Sequence, residues 1–600
     1  MTMAFAAGNP RVLTGFLPNL RRFIQIYRGY ERPFWMSQVF LAISALFTLL
    51  IPLMSQSLID DGIIPGNRDA MVRAVLWMVL FAVCSAVFTI ANAYYAVQFA
   101  ERTAHAVRMR QYRKIQTFTF GNLDQFPTSD LMVRMTSDVT AIKGAVQQVI
   151  LSLAQAPVMF VGALFLIYRN SPGLMWILLL VIPAVLGILA VFLFKISPLF
   201  EVQQRQLDDL NQVLQESLAG VRVVKAFVQG EYENRRYDRT NQAFWQASLH
   251  PMRYVAALQP SFFLIVNLAT ALVLWFGGRA VSQGDSTVGE LMAFTQYLVT
   301  ILVPLVVLAT ITPQVTAAEA SAERMFEVMD TLPNLAQPSQ PVLPSATAAT
   351  QGQIVFENVS FGYPAPAGET LTPVLRNINL TIEPGQTVAF LGATGSGKST
   401  LVNLIPRFYD VTEGRILIDG IDVRDLAPEI LHQWVGIALQ EAVLFSGTVR
   451  ENVGYGRPEA EQEDLVAAAA AADAHGFISA MPEGYDAPVA RRGSNFSGGQ
   501  RQRISIARAL AVQPRILILD DSTSALDMAT EARVQEAVQD LMAATTKLYV
   551  AQRISTVLTA DRIFLLEAGE LVAQGTHETL LATSPLYQDI YQSQLGGAPL

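Results

Sequence analysis

Residues Val388–Thr400 read VAFLGATGSGKST. A short apolar run, VAFL, meets a glycine-spaced loop, and Lys398 and Ser399 close the spacing GxxxxGKS. Gly392, Gly395 and Gly397 let the backbone curl so that successive N–H groups face phosphate oxygens. Lys398 is placed to reach the outer phosphates, and the Ser399 hydroxyl to ligate Mg2+. The helix opening there turns the positive end of its dipole to the same phosphates. Ala393, Thr394, Ser396 and Thr400 complete the loop and are expected to contact the nucleotide with it.

Two further stretches downstream carry phosphate and cation chemistry. RILILDD (Arg515–Asp521) is an apolar strand ending in acids, and Asp520 is placed to hold Mg2+ through water. NFSGGQRQR (Asn495–Arg503) opens a helix with Ser497, Gly498, Gly499 and Gln500, a second place where helix N–H groups could cradle a phosphate.

Outward from this region the composition splits. The 600-residue chain is 52% hydrophobic and only 15% charged, against about 25% charge in soluble domains. The apolar excess lies in residues 34–318, whereas 350–600 has ordinary soluble composition. Six stretches free of Asp, Glu, Lys, Arg and His occupy 34–59, 74–99, 146–168, 174–194, 254–276 and 291–315. Each reaches the roughly 20 residues a helix needs to cross a bilayer core. Arg102–Lys143 and Lys195–Arg253 hold most of the intervening Lys and Arg, so both long loops and both termini are expected on the cytoplasmic side. Phe16–Tyr30 reads as a helix lying in the interface. Each long loop, folded as two helical arms, would reach about 30 Å from the membrane, with tips expected near Gly121–Thr128 and Arg239–Ala247. The Pro-, Ala- and Ser-rich 331–350 reads as a linker between a membrane domain, 1–330, and a nucleotide-binding domain, 351–600. A net charge of −8 excludes a generally basic nucleic-acid binder, and a lone cysteine, Cys84, excludes an internal disulfide framework.

The three motifs, with NFSGGQRQR lying between the other two, resemble those of the ATP-binding-cassette (ABC) ATPases, and with six spans ahead of them the chain resembles an ABC exporter half-transporter. FPTSDLMVRMTSDV (Phe126–Val139), LQESLAGVRVVKAF (Leu214–Phe227) and ASAERMFEVMD (Ala320–Asp330) extend the likeness into the membrane half. The resemblance implies an all-α six-helix transmembrane domain with long intracellular helical loops, followed by an α/β P-loop NTPase domain. It implies that Tyr363 stacks on adenine, that Gln440 senses Mg2+ and the membrane domain, and that Asp527 lies in the loop bridging two nucleotide sites. It also implies a dimer with two ATP molecules between the cassettes. Each would be held by one chain's P-loop and by the partner's signature, here Ser497–Gln500.

Two residues depart from the family pattern. Asp521 stands where the family has the glutamate that polarises the attacking water, and Gln552, in AQRIST, stands where it has the switch histidine. Both belong to the site on this chain's own P-loop, and the intact signature serves the other site. The pairing predicts the degenerate-site subunit of a heterodimer whose partner keeps Glu and His. The alternatives are a homodimeric multidrug exporter or a lipid flippase with slow ATPase. Arg491, in VARRG, replaces an acid common in exporters. Spans without charge point to a hydrophobic or amphiphilic cargo, with Asn92 and Gln296 among the scattered polar groups.

Overall fold

The computed structural model describes residue 22 and residues 31–152, 155–336, 338, 341–342, 351–363 and 373–595. Apart from Arg22, the interfacial segment Phe16–Tyr30 lies outside the described residues, as does most of the stretch 337–350. The chain divides into two compact units. One comprises Met1–Gln116 and Thr128–Thr331; the other comprises Leu332–Leu600 together with Thr117–Pro127, the tip of the first long loop.

The first unit is helical. Its main helices are α1 (Glu31–Ser57) and α2 (Arg68–Ile115), followed, after the tip helix α3 (Phe120–Gln125) that belongs to the other unit, by α4 (Val139–Ser152), α5 (Gln155–Asn170), α6 (Trp176–Val191), α7 (Ser197–Ala219), α8 (Val221–Ala226), α9 (Gly230–Gln283) and α10 (Val288–Asp330). By length and composition four helices suffice to cross a membrane, Glu31–Ile63, Arg68–Ile115, Thr128–Asn170 and Gly230–Gln283; Trp176–Ile188 and Val288–Ile301 are shorter apolar helices among the described residues. At 48 residues α2 is about 70 Å long, so more than half of it extends beyond a bilayer core of about 30 Å. Helix ends follow local chemistry. The Asn67 side chain accepts from the Ala70 N–H to start α2, Thr287 and Glu290 form a capping box on α10, and Gly284 ends α9 at φ +80°.

Polar residues in the spans serve packing. Ser37 donates to Asn92 at 2.6 Å, Ser44 and Thr89 hydroxyls meet at 2.6 Å, and Thr48 and Ser85 hydroxyls at 2.8 Å, so α1 and α2 share a hydroxyl seam. Gln296 donates to Ser55 at 3.1 Å. Asn92 and Gln296, read from sequence as pointers to cargo, are therefore committed to neighbouring helices.

The second loop turns elsewhere than expected. Arg239–Ala247 lies inside α9, and the chain reverses over Gly220–Gly230 through the six-residue α8, with Val228 at φ +54°. The physical reason is the flanking glycines: Gly220 and Gly230 supply the breaks, whereas Arg239–Ala247 contains no breaker.

The second unit is an α/β layer structure. One antiparallel sheet has the order β2-β1-β4-β5, from β1 (Ile354–Phe361), β2 (Leu375–Ile382), β4 (Glu413–Ile418) and β5 (Ile421–Asp422). The central sheet has the order β12-β11-β3-β10-β9-β6, from β3 (Thr387–Leu391), β6 (Val435–Ala438), β9 (Ile516–Asp520), β10 (Thr546–Val550), β11 (Arg562–Glu567) and β12 (Glu570–Gly575). A short pair, β7 (Gly447–Thr448) and β8 (Pro488–Val489), completes the strands. Every residue of β3, β9 and β10 is buried, Lys547 included, as strands covered on both faces should be. Strand register decides where the loops emerge. Phe390 pairs with Val550, Val550 with Asp520, and Leu519 with Ala438, all in parallel. The strands thus end in one row, and the loops after them leave from one sheet edge, where open α/β sheets bind ligands.

Candidate nucleotide site and signature helix

At that edge β3 runs into the P-loop. Gly392 adopts φ +156°, and a Cβ there would lie 2.2 Å from the Leu566 carbonyl oxygen, so only glycine fits. Gly395 and Gly397 take φ +83° and +100°, and α11 (Lys398–Leu404) begins directly after them. Lys398 is nearly buried, and its Nζ donates to the Gly392 and Ala393 carbonyls at 2.9 and 2.8 Å. Burial lowers its pKa, opposed by the Asp521 and Asp520 carboxylates. A cavity of about 490 Å3 is lined by Gly392–Ser396, Gln552 and the inner face of α14 (Pro585–Leu595).

Ser399 Oγ donates to Asp520 Oδ1 at 2.8 Å. Asp520 is 3% exposed, and burial raises its pKa. The next residue, Asp521, sits at φ +46°, a region that Asp occupies more readily than most residues. Its Oδ2 accepts from Gln440 Nε2 and from Gln552 Nε2, both at 3.2 Å. Burial raises the pKa of Asp521 as well, against the lowering effect of the Gln440 bond and of Lys398. Gln440 follows β6, Asp521 follows β9 and Gln552 follows β10, so the parallel register brings the three together.

Tyr363 is partly exposed, with its hydroxyl 3.0 Å from Thr400 Oγ1. Its ring meets Phe361 and Tyr409 edge-on at 5.1 and 5.2 Å. Tyr409 in turn donates to Asp124 Oδ2 at 2.8 Å, and Phe120 stacks on Phe408 at 4.2 Å. Asp124 and Phe120 lie in α3, within this same unit.

The signature stands apart. Ser497 caps α12 (Gly498–Ala511): its Oγ accepts from the Gln500 N–H, while Gln500 Oε1 accepts from the Ser497 N–H. Gly498 has open space where a Cβ would stand. Gly498 lines a second cavity, of about 450 Å3, with Gln440, Glu441, Arg492, Arg501 and Ala525, none of which belongs to the P-loop. Asp527 caps α13 (Met528–Leu541), accepting from the Thr530 N–H at 3.0 Å, which lowers its pKa. Arg491 begins a tight turn whose next residue, Arg492, is at φ +55°. One chain therefore joins the P-loop, Asp520, Asp521, Gln440 and Gln552, while Gly498 lines a second cavity that Gln440 lines as well.

Sequence reading misses three residues here. Tyr409 links Tyr363 to α3. Glu531, 4% exposed on α13, accepts from Thr523 Oγ1 at 2.8 Å and Thr556 Oγ1 at 2.6 Å, tying the stretch after Asp521 to the stretch after Gln552. Gln594 bonds the backbone around Gln552. A buried acid four residues after a cap leaves no motif, and only the fold reveals its partners.

The fold and the site define a P-loop nucleotidase joined to a helical membrane bundle. The chain matches the ABC transporter transmembrane region over residues 34–305 and the ABC transporter domain over 375–524. It is 36% identical to the uncharacterized ABC transporter ATP-binding protein YfiB of Bacillus subtilis over 91% of this chain and 94% of that protein. It is also 36% identical to an ATP-dependent lipid A-core flippase of Syntrophus aciditrophicus, over 96% and 94% of the two chains. A solved structure of a bacterial Atm1-family ABC exporter with ATP bound superposes with a TM-score of 0.79 at 26% identity, covering 96% of this chain and all of that one. The protein belongs to the ABC transporter family. It is an ABC exporter, a membrane protein with a helical transmembrane domain and an α/β ATP-binding domain, whose ATPase activity is coupled to transport and which works as a dimer with its substrate in the membrane.

Proposed function

We propose that this chain is the slow-site subunit of a heterodimeric exporter that moves a hydrophobic or amphiphilic molecule across the cytoplasmic membrane. The observation that carries the reading is the hydrogen bond that pairs Asp521 with Gln552, the two departures from the family pattern, in a chain whose signature Ser497–Gln500 is intact. A general base must come within hydrogen-bond reach of its water. Asp521 is one methylene shorter than glutamate, and one of its oxygens already receives two amide donors. A misplacement of about 1 Å can cost on the order of 100-fold in rate. Gln552 can donate a hydrogen bond to an outer phosphate but cannot bring the positive charge of a protonated histidine.

In this reading Gly392–Thr400 wrap the phosphates, Lys398 leaves its two loop carbonyls for the outer phosphates, and Tyr363 stacks on adenine. The oxygen donors Ser399, Asp520 and Gln440 suit a hard cation: Ser399 and Asp520 already touch, and Gln440 spends its nitrogen on Asp521, which leaves its amide oxygen for a metal. Mg2+ held there would neutralise phosphate charge. Ser497–Gln500 would reach the ATP on the partner's P-loop, with Asp527 at the seam between the sites. Lys and Arg in the two long loops support a cytoplasmic cassette and cytoplasmic termini. The partner is a second half-transporter with glutamate and histidine in place.

The test is Asp521→Glu with Gln552→His in the assembled transporter. Repairing one of two sites raises turnover by up to about twofold. Unchanged turnover, together with full-rate hydrolysis by the wild-type chain alone, contradicts the reading and favours a homodimer. Two relatives named lipid A-core flippase support lipid as the amphiphile. Stimulation of the ATPase by lipid rather than by hydrophobic drugs would decide for it.

A further inference from the structure

We propose that Gln594, near the end of the C-terminal helix α14, is a positioning residue that clips the switch loop and holds the Gln552 side chain on Asp521. The proposal rests on the reading of Gln552 as the switch residue. Gln594 Nε2 donates to the Gln552 carbonyl at 2.8 Å, and Gln594 Oε1 accepts from the Ile554 N–H at 2.8 Å. One amide thus grips the backbone on both sides of Arg553. The rest of the loop is already fixed. The Ala551 N–H donates to the Phe390 carbonyl at 3.1 Å, and Thr556 donates to buried Glu531 at 2.6 Å. The backbone groups of residues 552 and 554 lie between these anchors, and Gln594 takes both.

The grip has a firm base. Tyr587, fully buried on the same helix, meets His577 Nδ1 with its hydroxyl at 2.6 Å, and Gln588 donates to the Leu581 carbonyl at 2.6 Å. Leu586 and Ile590 line the cavity that Gly392–Ser396 and Gln552 also line. A helix fixed at its start therefore presents Gln594 to the loop with little conformational freedom left to lose. Because the clip holds backbone, it sets where the Gln552 side chain starts.

The experiment uses the full-length transporter with its partner. Gln594→Met keeps length and apolar packing and removes both hydrogen bonds. Hydrogen exchange at Ile554 is expected to rise about tenfold or more, while amides of β10 stay protected. Turnover of the complex is expected to change less than about twofold, while nucleotide leaves this chain's own site roughly three- to tenfold faster. In a Gln552→Ala background Gln594→Met should add nothing further. Gln594→Glu keeps the acceptor for the Ile554 N–H and should restore its protection. Unchanged exchange at Ile554 in Gln594→Met overturns the proposal, and so does an equal acceleration of nucleotide release with and without Gln552. If Gln552→Ala is itself silent while Gln594→Met opens the loop, the clip stands and the reading of Gln552 falls.

Discussion

Asp521 concentrates the chemistry of the site in one carboxylate at φ +46°, with two amides on a single oxygen. Two glycines, one on the P-loop and one in the signature, show how strictly geometry governs single positions. A methyl group at Gly392 would meet a backbone carbonyl at 2.2 Å, whereas one at Gly498 would meet nothing within 4 Å. Gly392→Ala should therefore cost about 1–3 kcal/mol and lower the melting temperature of the chain by roughly 2–10 °C. Gly498→Ala should leave melting unchanged and slow turnover, because its methyl group stands where a partner's phosphate would approach. Thermal melts and ATPase assays on the two variants check this contrast. The glycine spacing of the P-loop and the shortened acid at 521 are legible in the sequence. That Gln440 and Gln552 share one oxygen is not, because it depends on strand register across β6, β9 and β10.

At the scale of elements, the loops leaving one sheet edge are tied to each other as well as to the sheet. Glu531 on α13 joins Thr523 and Thr556. Glu531→Ala leaves two hydroxyls without their acceptor and should destabilise the cassette by about 1–3 kcal/mol, with Glu531→Gln milder; chemical denaturation measures both. The tip helix α3 is held by the Phe120–Phe408 stack and the Tyr409–Asp124 bond, and by chain continuity it lies between the long α2 and the helices after it. Phe120→Ala with Tyr409→Phe should lose most of the stimulation of ATPase by transported compound while basal ATPase falls less than about threefold. Equal loss of both rates would contradict a role in coupling. Four of the six charge-free runs fall in helices long and apolar enough to cross a membrane, and those at 174–194 and 291–315 overlap shorter apolar helices among the described residues. The second loop's tip escapes sequence reading because helical patterning continues on both sides of the turn, and only Gly220 and Gly230 mark it.

For the whole molecule, a signature that serves the partner's P-loop, as proposed, makes each complete ATP site the work of two chains. In the proposed heterodimer the two sites do unequal work: this chain's P-loop site would hold nucleotide, and its signature would complete the site that turns over. Ser37–Asn92 and the hydroxyl seam bind α1 to α2, so the polar groups of the spans speak for helix pairing before they speak for cargo. The measurement that tests the central claim is ATP turnover of the assembled transporter carrying, in this chain alone, either Ser497→Arg or Asp521→Asn. The account predicts that Ser497→Arg lowers turnover by about 100-fold or more, and that Asp521→Asn changes it less than about twofold. An Asp521→Asn variant as inactive as Ser497→Arg would contradict it.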